Sequence, residues 1–351
     1  IARLHSQRLD FRKPLWELHV IEGLAHKRFA LYLKIHHALV DGVSAAKLMM
    51  RALSTAADAL GERPFWAAKD DSVRDLARAQ QRKARKVTLP ALPRPAQALA
   101  IVKAAAACWT RKGDDEDVSL RSAPRTILND RIHSQRRFAT HSEPLSRLKA
   151  IAKAADCSLN DLILALTGAV VREYLLGHDA LPEQGLTASI PVSLHKPGDK
   201  EISNKVSMMF ATLGTHIADD RRRLEVIRIS TSLAKARLLA LPPDSQGLYS
   251  SLMLTPYIAS LASGAAGRGK PIFNVVVSNV PGPQEPRYLF GARLASLFPV
   301  SIPTHGAALN VTCFSYAGQF NFGLTACRDS VPHIQQMAVG LGHAVDRYEE
   351  I

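Results

Sequence analysis

The 351-residue sequence contains little cysteine and no long apolar run. Its four cysteines form no CxxC pair and no spacing typical of a zinc site, so the sequence predicts neither a disulfide framework nor a metal centre. No apolar run reaches the roughly 18 residues that a membrane-spanning helix needs. Charged residues make up 22% and hydrophobic residues 47% of the chain, which excludes a disordered protein and is typical of one with two globular domains. These features predict a reduced, cytoplasmic protein.

An initiator methionine is also missing, because the sequence begins at Ile1. We expect an N-terminal segment that has been cut off, is disordered, or is present as a separate polypeptide of the same protein. The residues before His36 supply only about two strands, too few to cover both faces of a sheet. We therefore expect apolar residues between 15 and 60 to be exposed unless another chain covers them.

Basic charge is concentrated in one segment of the chain. The net charge is +14, and residues 61–137 hold 17 Lys and Arg against 9 Asp and Glu, a surplus of +8. A nucleic acid, an anionic membrane surface and a solvated connector are all compatible with this surplus. The prolines at 90, 93 and 95 favour a long crossover with one or two helices. Within it, an apolar stripe of Leu99, Val102, Ala106 and Trp109 fits either a lipid surface or the protein's own core.

Alternating helices and strands predict an α/β fold with mixed sheets, divided into an N-terminal domain (1–60), the crossover (61–137) and a C-terminal domain (138–351). The predicted strands are residues 15–24, 28–36, 186–194, 204–217 and 271–280, the last buried on both faces, with a hairpin over 308–329 that turns at Ala317 and Gly318. The predicted helices are residues 43–60, 142–157 with Ser142 as N-cap, 158–177, 219–241 and 332–348.

The stretch HHALVDG, residues 36–42, follows the second strand and carries the most distinctive chemistry. If the strand continues to His37, this side chain is in phase with Leu33 and Ile35 and points inward, whereas His36 points to the other face. Two adjacent strand histidines cannot share one metal ion, and no third ligand lies at a useful offset, so we predict no metal site.

An inward histidine at this turn has two interpretations. Imidazole titrates near neutrality, so His37 can take a proton from a hydroxyl group and return it to a leaving group. Alternatively, it is a structural histidine beside a helix cap. Asp41 can orient the turn by pairing with an arginine or by capping the helix, and Gly42 lets the chain turn tightly.

The HHALVDG stretch resembles the HHxxxDG motif of the coenzyme A-dependent acyltransferase superfamily, which includes chloramphenicol acetyltransferase-like enzymes and peptide-synthetase condensation domains. Three further stretches resemble the bacterial wax ester synthase/diacylglycerol acyltransferase family in particular, and they occur in the family's order. They are the PLW segment with Pro14 and Trp16, the ND segment with Asn160 and Asp161, and SNVPGP with Asn279.

The resemblance implies two chloramphenicol acetyltransferase-like domains with a channel between them, the N-terminal one incomplete in this chain. By this resemblance His37 is the general base, His36 belongs to the same catalytic motif, and Asp41 and Gly42 have structural roles in it. Asn160 either lines the channel wall, polarises the thioester carbonyl or is an ordinary N-cap, and Asn279 and Gly282 shape a turn beside the channel. Asp161, Pro14 and Trp16 are further candidates for substrate binding.

The function implied by the resemblance is transfer of a fatty acyl group from acyl-CoA to a long-chain alcohol or diacylglycerol, without a cofactor or covalent intermediate. We then expect peripheral association with a membrane or lipid droplet and no binding of nucleic acid. The alternatives are a condensation-type or polyketide-associated acyltransferase and a non-catalytic lipid-binding protein. The stretch GAAGRGK at 264–270 precedes Pro271 and a strand, which excludes a P-loop, but Arg268 and Lys270 remain candidates for contact with the phosphates of coenzyme A.

Overall fold

A computed structural model describes residues 1–59, 116–193 and 206–351, together with residues 103, 106, 108, 109, 113 and 114. Most of the predicted crossover, including Leu99 and Val102, lies outside the described residues. Among the described residues no single helix is long and apolar enough to cross a membrane. Two helices, Leu145–Ala154 and Leu159–Leu176, pass that test only in combination, across a bend of 97°.

The N-terminal region is built from two helices and one hairpin: α1 (Ala2–Ser6), β1 (Trp16–Leu24), β2 (Arg28–Ile35) and α2 (Gly42–Arg51). The strands pair antiparallel, with Trp16 opposite Ile35 and Val20 opposite Leu31. The strand prediction is therefore confirmed to within one residue at each end.

One face of this hairpin is apolar and exposed. Val20 is 59% exposed, Phe29 43% and Leu31 44%, whereas Tyr32, on the opposite face, is buried at 4%. The expectation of exposed apolar residues between 15 and 60 is confirmed, and the expected N-terminal segment stays a prediction.

The helix α2 is shorter than the sequence pattern predicts. It ends at Arg51, not at Leu60, because Ser54 leaves the helix to pair with Tyr288. The backbone N–H of each of these two residues donates to the carbonyl of the other, at 2.9 Å in both directions. A contact with the C-terminal region thus overrides the local helical pattern.

Over its described residues, 136–193 and 206–351, the C-terminal region contains one six-stranded mixed sheet, five α-helices and a small hairpin, which confirms the predicted fold class. The strand order is β3-β10-β9-β6-β4-β5, in which β9, β6 and β4 are mutually parallel and the remaining pairs are antiparallel. In chain order the elements are β3 (Arg136–Pro144), α3 (Leu145–Ala154), α4 (Leu159–Leu176), β4 (Thr187–Ser193), β5 (Val206–Thr212), α5 (Asp220–Leu239), α6 (Pro243–Ala262), β6 (Val275–Val280), β7 (Tyr288–Leu289), β8 (Ala292–Arg293), β9 (Leu309–Tyr316), β10 (Gln319–Cys327) and α7 (Ile334–Glu349).

The strand β6 is central to this sheet, as its apolar sequence predicts. Val275 and Val277 belong to the large core formed with α3, α4 and α7. Val276, on the opposite face, packs against a second cluster that includes Phe273 and Met253 of α6. Burial on both faces is therefore confirmed, and it explains why this strand has no hydrophobic alternation.

Two further details correct the sequence prediction. Ser142 is not a helix N-cap, because β3 pairs with β10 as far as Pro144 and delays the start of α3. The Ser142 hydroxyl instead donates to Asn321 Oδ1 at 2.7 Å.

The helix α6 was not predicted at all, since Pro256 lies inside it and its apolar residues form no clear stripe. The hairpin turn at Ala317 and Gly318 is confirmed, both residues having a positive φ.

Candidate active site

The first histidine of the motif is held by the backbone around it. The N–H of His36 donates to the carbonyl of Leu15 at 2.9 Å, which closes β2 against the PLW segment. Its ring Nδ1 accepts from the N–H of Ala38 at 3.2 Å and lies edge-on to the ring of Phe11. An Nδ1 that accepts a hydrogen bond leaves the proton of the neutral ring on Nε2. His36 therefore stabilises the turn.

The second histidine is exposed, and the prediction that it points inward is wrong. The strand β2 ends at Ile35, so the alternation of the strand does not extend to His37. His37 was expected to lie on the same strand face as Phe29 and Leu31, but that face is itself exposed. No hydrogen bond links the His37 side chain to any described residue, so its imidazole is accessible to a substrate.

The aspartate of the motif is a buried helix cap. Asp41 is 2% exposed, and its Oδ1 accepts from the N–H of Ser44 at 2.7 Å. Its carbonyl also accepts from the N–H of Ala45 at 2.8 Å, the first turn of α2. From the sequence, Asp41 was expected either to pair with an arginine or to cap the helix, and the structure shows the helix cap. The cap fixes the direction in which the turn enters α2, and hence where His37 lies.

The start of α2 packs on the end of β6 in the SNVPGP segment. A Cβ added to Gly42 would lie 3.5 Å from Cγ2 of Val280. Val43, the next residue, and Ala46, one turn further, pack against a small cluster formed by Val280, Phe314 and Tyr316. The HHxxxDG helix is thus fixed to the C-terminal sheet, at the carboxyl end of its central strand.

The two asparagines predicted from separate motifs meet at this same strand end. Asn279 Nδ2 donates to Asn160 Oδ1 at 2.9 Å. Asn160 is exposed and does not cap its helix, because Ser158 is the N-cap of α4. The oxygen of Asn160 is engaged in this way, whereas its amide N–H groups donate no hydrogen bond to a described residue. The N-cap interpretation of Asn160 is therefore wrong.

The Asp161 carboxylate is engaged in structural contacts. Its Oδ2 accepts from the Ser158 hydroxyl at 2.6 Å and its Oδ1 from the Thr231 hydroxyl at 2.6 Å. Asp161 is 7% exposed, and these bonds join the start of α4 to α5. Its contacts are those of a capping box, and they position Asn160 beside it.

The PLW segment lies at the other end of the motif. Trp16 is opposite Ile35 in the hairpin, directly before the two histidines, and Pro14 is exposed just ahead of the strand. The predicted role of these residues in substrate binding stays a prediction. What the structure shows of this segment is the pairing of Trp16 with Ile35, which is part of the register between β1 and β2.

The turn after β6 depends on Gly282, which was predicted to shape it, and on two residues of β9 that the sequence analysis missed. A Cβ at Gly282 would clash with the carbonyl oxygen of Ser315 and the ring of Phe314, so only glycine fits there. The N–H of Gly282 also donates to the Ser315 hydroxyl at 3.2 Å. Ser315 and Phe314 belong to β9, which the sequence predicted only as one arm of a hairpin. Their contact with the turn at Gly282 is seen only in the three-dimensional structure.

No group of three or more His, Cys, Asp or Glu side chains with the geometry of a metal site occurs within residues 1–59, 116–193 and 206–351. The chemistry available at the end of β6 is that of an exposed imidazole, two amides and a buried carboxylate that caps a helix. These groups can accept a proton and stabilise an oxyanion, and they contain no oriented nucleophile.

Two family models cover most of the chain. The wax ester synthase/diacylglycerol acyltransferase catalytic domain matches residues 1–163, and the C-terminal domain of the same family matches residues 202–349. The O-acyltransferase WSD of Acinetobacter baylyi is 37% identical over 358 residues, which cover 100% of this chain and 77% of that protein.

The comparison with solved structures agrees. The wax ester synthase/diacylglycerol acyltransferase from Marinobacter aquaeolei VT8 is 34% identical with a TM-score of 0.74, covering 99% of this chain and 74% of that one. The EpoB cyclization-docking bidomain of a Sorangium cellulosum peptide synthetase is 14% identical with a TM-score of 0.54, covering 97% of this chain and 64% of that one. The latter likeness concerns the fold alone.

Proposed function

The chain belongs to the wax ester synthase/diacylglycerol acyltransferase family, and we propose that His37 is the general base with which it transfers an acyl group. As a family member the protein is an O-acyltransferase that forms wax esters or triacylglycerols. The donor is acyl-CoA and the acceptor is a long-chain alcohol or a diacylglycerol. The accessible imidazole of His37, in a turn anchored to the SNVPGP strand, is the observation that carries this proposal.

The reaction needs one proton transfer in each direction. His37 takes the proton from the acceptor hydroxyl as its oxygen bonds to the thioester carbon, which becomes a tetrahedral oxyanion. The carbon–sulfur bond then breaks, and the imidazolium returns the proton to the leaving thiolate of coenzyme A. General base catalysis of this kind contributes about 10²- to 10⁴-fold to a rate. A thioester is already activated, so no covalent enzyme intermediate is required.

Asn160 is the candidate donor to the oxyanion. Asn279 holds the Asn160 oxygen at 2.9 Å, which orients the amide N–H groups of Asn160 without occupying them. A pre-oriented donor is worth more to a transition state than one that must reorganise during the reaction, with losses of about 10²- to 10³-fold on removal. Asn279 is therefore a positioning residue in this proposal.

Exposed apolar side chains near the motif suit lipid substrates. Phe11, which packs on His36, is 75% exposed, and Leu39, two residues after His37, is 53% exposed. Beside Phe11, Lys13 is cationic and exposed, and Arg12 is exposed but pairs with Asp10 at 3.1 Å. Such a combination favours peripheral contact with an anionic lipid surface. Of the predicted apolar stripe, Ala106 and Trp109 are exposed and compatible with the same contact.

Incubation with palmitoyl-CoA and either hexadecanol or dipalmitoylglycerol tests the activity. We expect free thiol and ester product to appear together, and only when an acceptor is present. Thiol release without ester would indicate a hydrolase. Transfer only from a carrier-protein thioester would favour the condensation-type alternative, and no release from any donor would favour a lipid-binding protein.

Flotation with liposomes that contain anionic lipid tests the surface contact. We expect co-flotation at low salt that weakens at high salt, because exposed charges are screened. Absence of binding at low salt, or binding that survives carbonate extraction, would exclude peripheral electrostatic association.

A further inference from the structure

A cleft of about 480 Å³ opens between α6 and two loops, residues 263–273 and 304–306. Its wall combines hydroxyl and aromatic side chains from Tyr257, Ser260 and Phe273 with the backbone of a glycine-rich loop. None of its lining residues belongs to the HHxxxDG turn or to the asparagine pair. The cleft is therefore distinct from the candidate active site.

The cleft is surrounded by cationic side chains with few acidic partners. Arg268 and Lys270 are exposed at its rim, and neither forms an ion pair with a described residue. Arg131 Nη1 donates to the carbonyl of Gly264 at 2.8 Å, which holds a third cation against the loop. Arg125 Nη1 donates to the carbonyl of Arg268 at 3.0 Å and its Nη2 to the nearby carboxylate, Asp130, at 2.9 Å. Among the described residues, four cationic side chains thus lie at or beside this loop, and only Arg125 pairs with a carboxylate.

The pKa of the histidine in the wall of the cleft is lowered first by burial and then by neighbouring cations. Burial lowers the pKa of His305, and the neighbouring Arg131, Arg136 and His133 lower it further. Its Nδ1 accepts from the N–H of Ile132 at 3.1 Å, as expected of a neutral ring. A histidine disfavoured as a cation by its neighbours lies in a positive potential, which attracts anions.

The loop backbone packs closely on the backbone of Asp130 and Arg131. Gly267 has a φ of +77°, and a Cβ there would lie 2.7 Å from the backbone nitrogen of Arg131. Beside it, the Tyr257 ring packs on Phe273 with centroids 4.8 Å apart, and its hydroxyl bonds to Thr304. An aromatic wall beside a cationic rim matches a ligand that has both a base and phosphate groups.

The cleft and the HHxxxDG helix lie on the same face of the sheet, at opposite ends of β6. Val276 packs on the cluster that contains Phe273, and Val280 packs on α2. Residues 276 and 280 share a face because side chains in a strand alternate with a period of two. The strand β6 itself, Val275–Val280, covers about 17 Å, and Phe273 lies two residues beyond its start. The extended pantetheine arm of coenzyme A is of comparable length.

We infer that this cleft binds the 3′-phosphorylated adenosine diphosphate end of acyl-CoA, an inference that rests on the proposed function and deepens it. The arm then runs along the sheet face over Ser278, and the thioester reaches the HHxxxDG end of β6. Arg268 and Lys270 contact the phosphates, and Tyr257 lies beside the base.

Two donors separate nucleotide recognition from catalysis: palmitoyl-CoA and palmitoyl-pantetheine, which lacks the nucleotide. In the R268Q/K270Q double variant we expect the KM for palmitoyl-CoA to rise about tenfold to a hundredfold, since charged hydrogen bonds are lost. The kcat, the KM for palmitoyl-pantetheine and the KM for the alcohol should not change. Both side chains are exposed, and neither forms a side-chain hydrogen bond or ion pair within the part of the chain that the structure describes, so the variant should fold normally.

The matched control is K149Q/K153Q, which removes two exposed charges from α3, in another part of the sheet region. It should leave every parameter unchanged. A KM for palmitoyl-CoA that is equal in the two double variants would overturn the inference. An equal rise for palmitoyl-pantetheine would also overturn it, because that donor has no nucleotide to recognise.

Calorimetric titration with adenosine 3′,5′-bisphosphate distinguishes failure of the inference from failure of the proposed function. We expect binding to the wild type, at least tenfold weaker binding to R268Q/K270Q, and no comparable binding of inorganic pyrophosphate. If this pattern holds without any acyl transfer, the proposed function fails and the nucleotide site stands. If acyl transfer occurs but the bisphosphate binds both proteins equally, or no better than pyrophosphate, the inference fails and the function stands.

Discussion

Removal of the Asp41 carboxylate should cost both stability and rate, because this side chain caps the helix that anchors the catalytic turn. The cap bond from the N–H of Ser44 to Asp41 is 2.7 Å long, and Asp41 is 2% exposed. Its short length and its burial make this one of the stronger kinds of helix cap. For D41A we expect a loss of about 2 kcal/mol in the free energy of unfolding, the upper part of the range for such caps. The kcat should fall about tenfold to a hundredfold, because a shift of about 1 Å in the position of His37 is enough to impair proton transfer.

The assay combines urea unfolding, followed by circular dichroism, with steady-state kinetics on the same protein. D219A is the matched control, because Asp219 caps α5 through an equivalent 2.7 Å bond to the N–H of Arg222, away from the motif. It should lose about 1 kcal/mol of stability and keep its kcat. D41N retains an oxygen acceptor for Ser44 and should be less affected than D41A in both measurements.

One result would refute the structural role of Asp41. If D41A unfolds at the wild-type urea concentration while its rate falls about 10⁴-fold, Asp41 acts as the orienting carboxylate of a catalytic group. A loss of rate in D219A equal to that in D41A would instead show that global stability, not the position of the turn, limits the rate.

Three other predictions follow from the site and the cleft. H37A should lose about 10²- to 10⁴-fold in kcat with unchanged thermal stability, whereas H36A should lose stability and less rate; equal rate losses in two well-folded variants would contradict the separate roles. N160A and N279A should each lower kcat, and the double variant should lose little more than N160A alone if Asn279 acts by orienting Asn160; additive losses in a double-mutant cycle would argue for independent roles. Because burial and neighbouring cations lower the pKa of His305 from 6.5, the unfolded state binds more protons than the folded state, so stability should fall as pH drops below about 6.5. H305Q should reduce this slope in urea unfolding at several pH values, and an unchanged slope would show that other groups dominate.

The sequence predicted those parts of the fold that depend on local patterns. The hairpin around Gly318 and the apolar run of β6 gave correct elements, since turn chemistry and burial on both faces leave clear marks in the chain. The prediction of α2 failed beyond Arg51 because Ser54 pairs with Tyr288, more than 200 residues later. A contact over such a distance has no local signal.

The sequence predicted the separate motifs of the site but not the contacts between them. Each motif was found separately, but the bond from Asn279 to Asn160 and the packing of Gly42 beside Val280 required coordinates. The inward direction of His37 was wrong because it extended the period of the strand by two residues into a turn. Register arguments are reliable inside a hydrogen-bonded ladder and lose their force where the ladder ends.

The central strand β6 explains why motifs so far apart in the chain belong to one site. Its carboxyl end holds Asn279 beside the start of α4, and Val280 beside the start of α2, so two helices from different regions converge on it. Its other end opens into the cationic cleft at Phe273. A thioester donor has a reactive sulfur and a charged nucleotide at opposite ends of a long flexible arm, so its recognition is best divided between two places that a rigid element holds apart. A strand buried on both faces is such an element, since it cannot shift without disturbing both cores. Substitutions within β6 should therefore alter the recognition of the nucleotide and the rate of acyl transfer together, whereas those at Arg268 or His37 should affect only one of them.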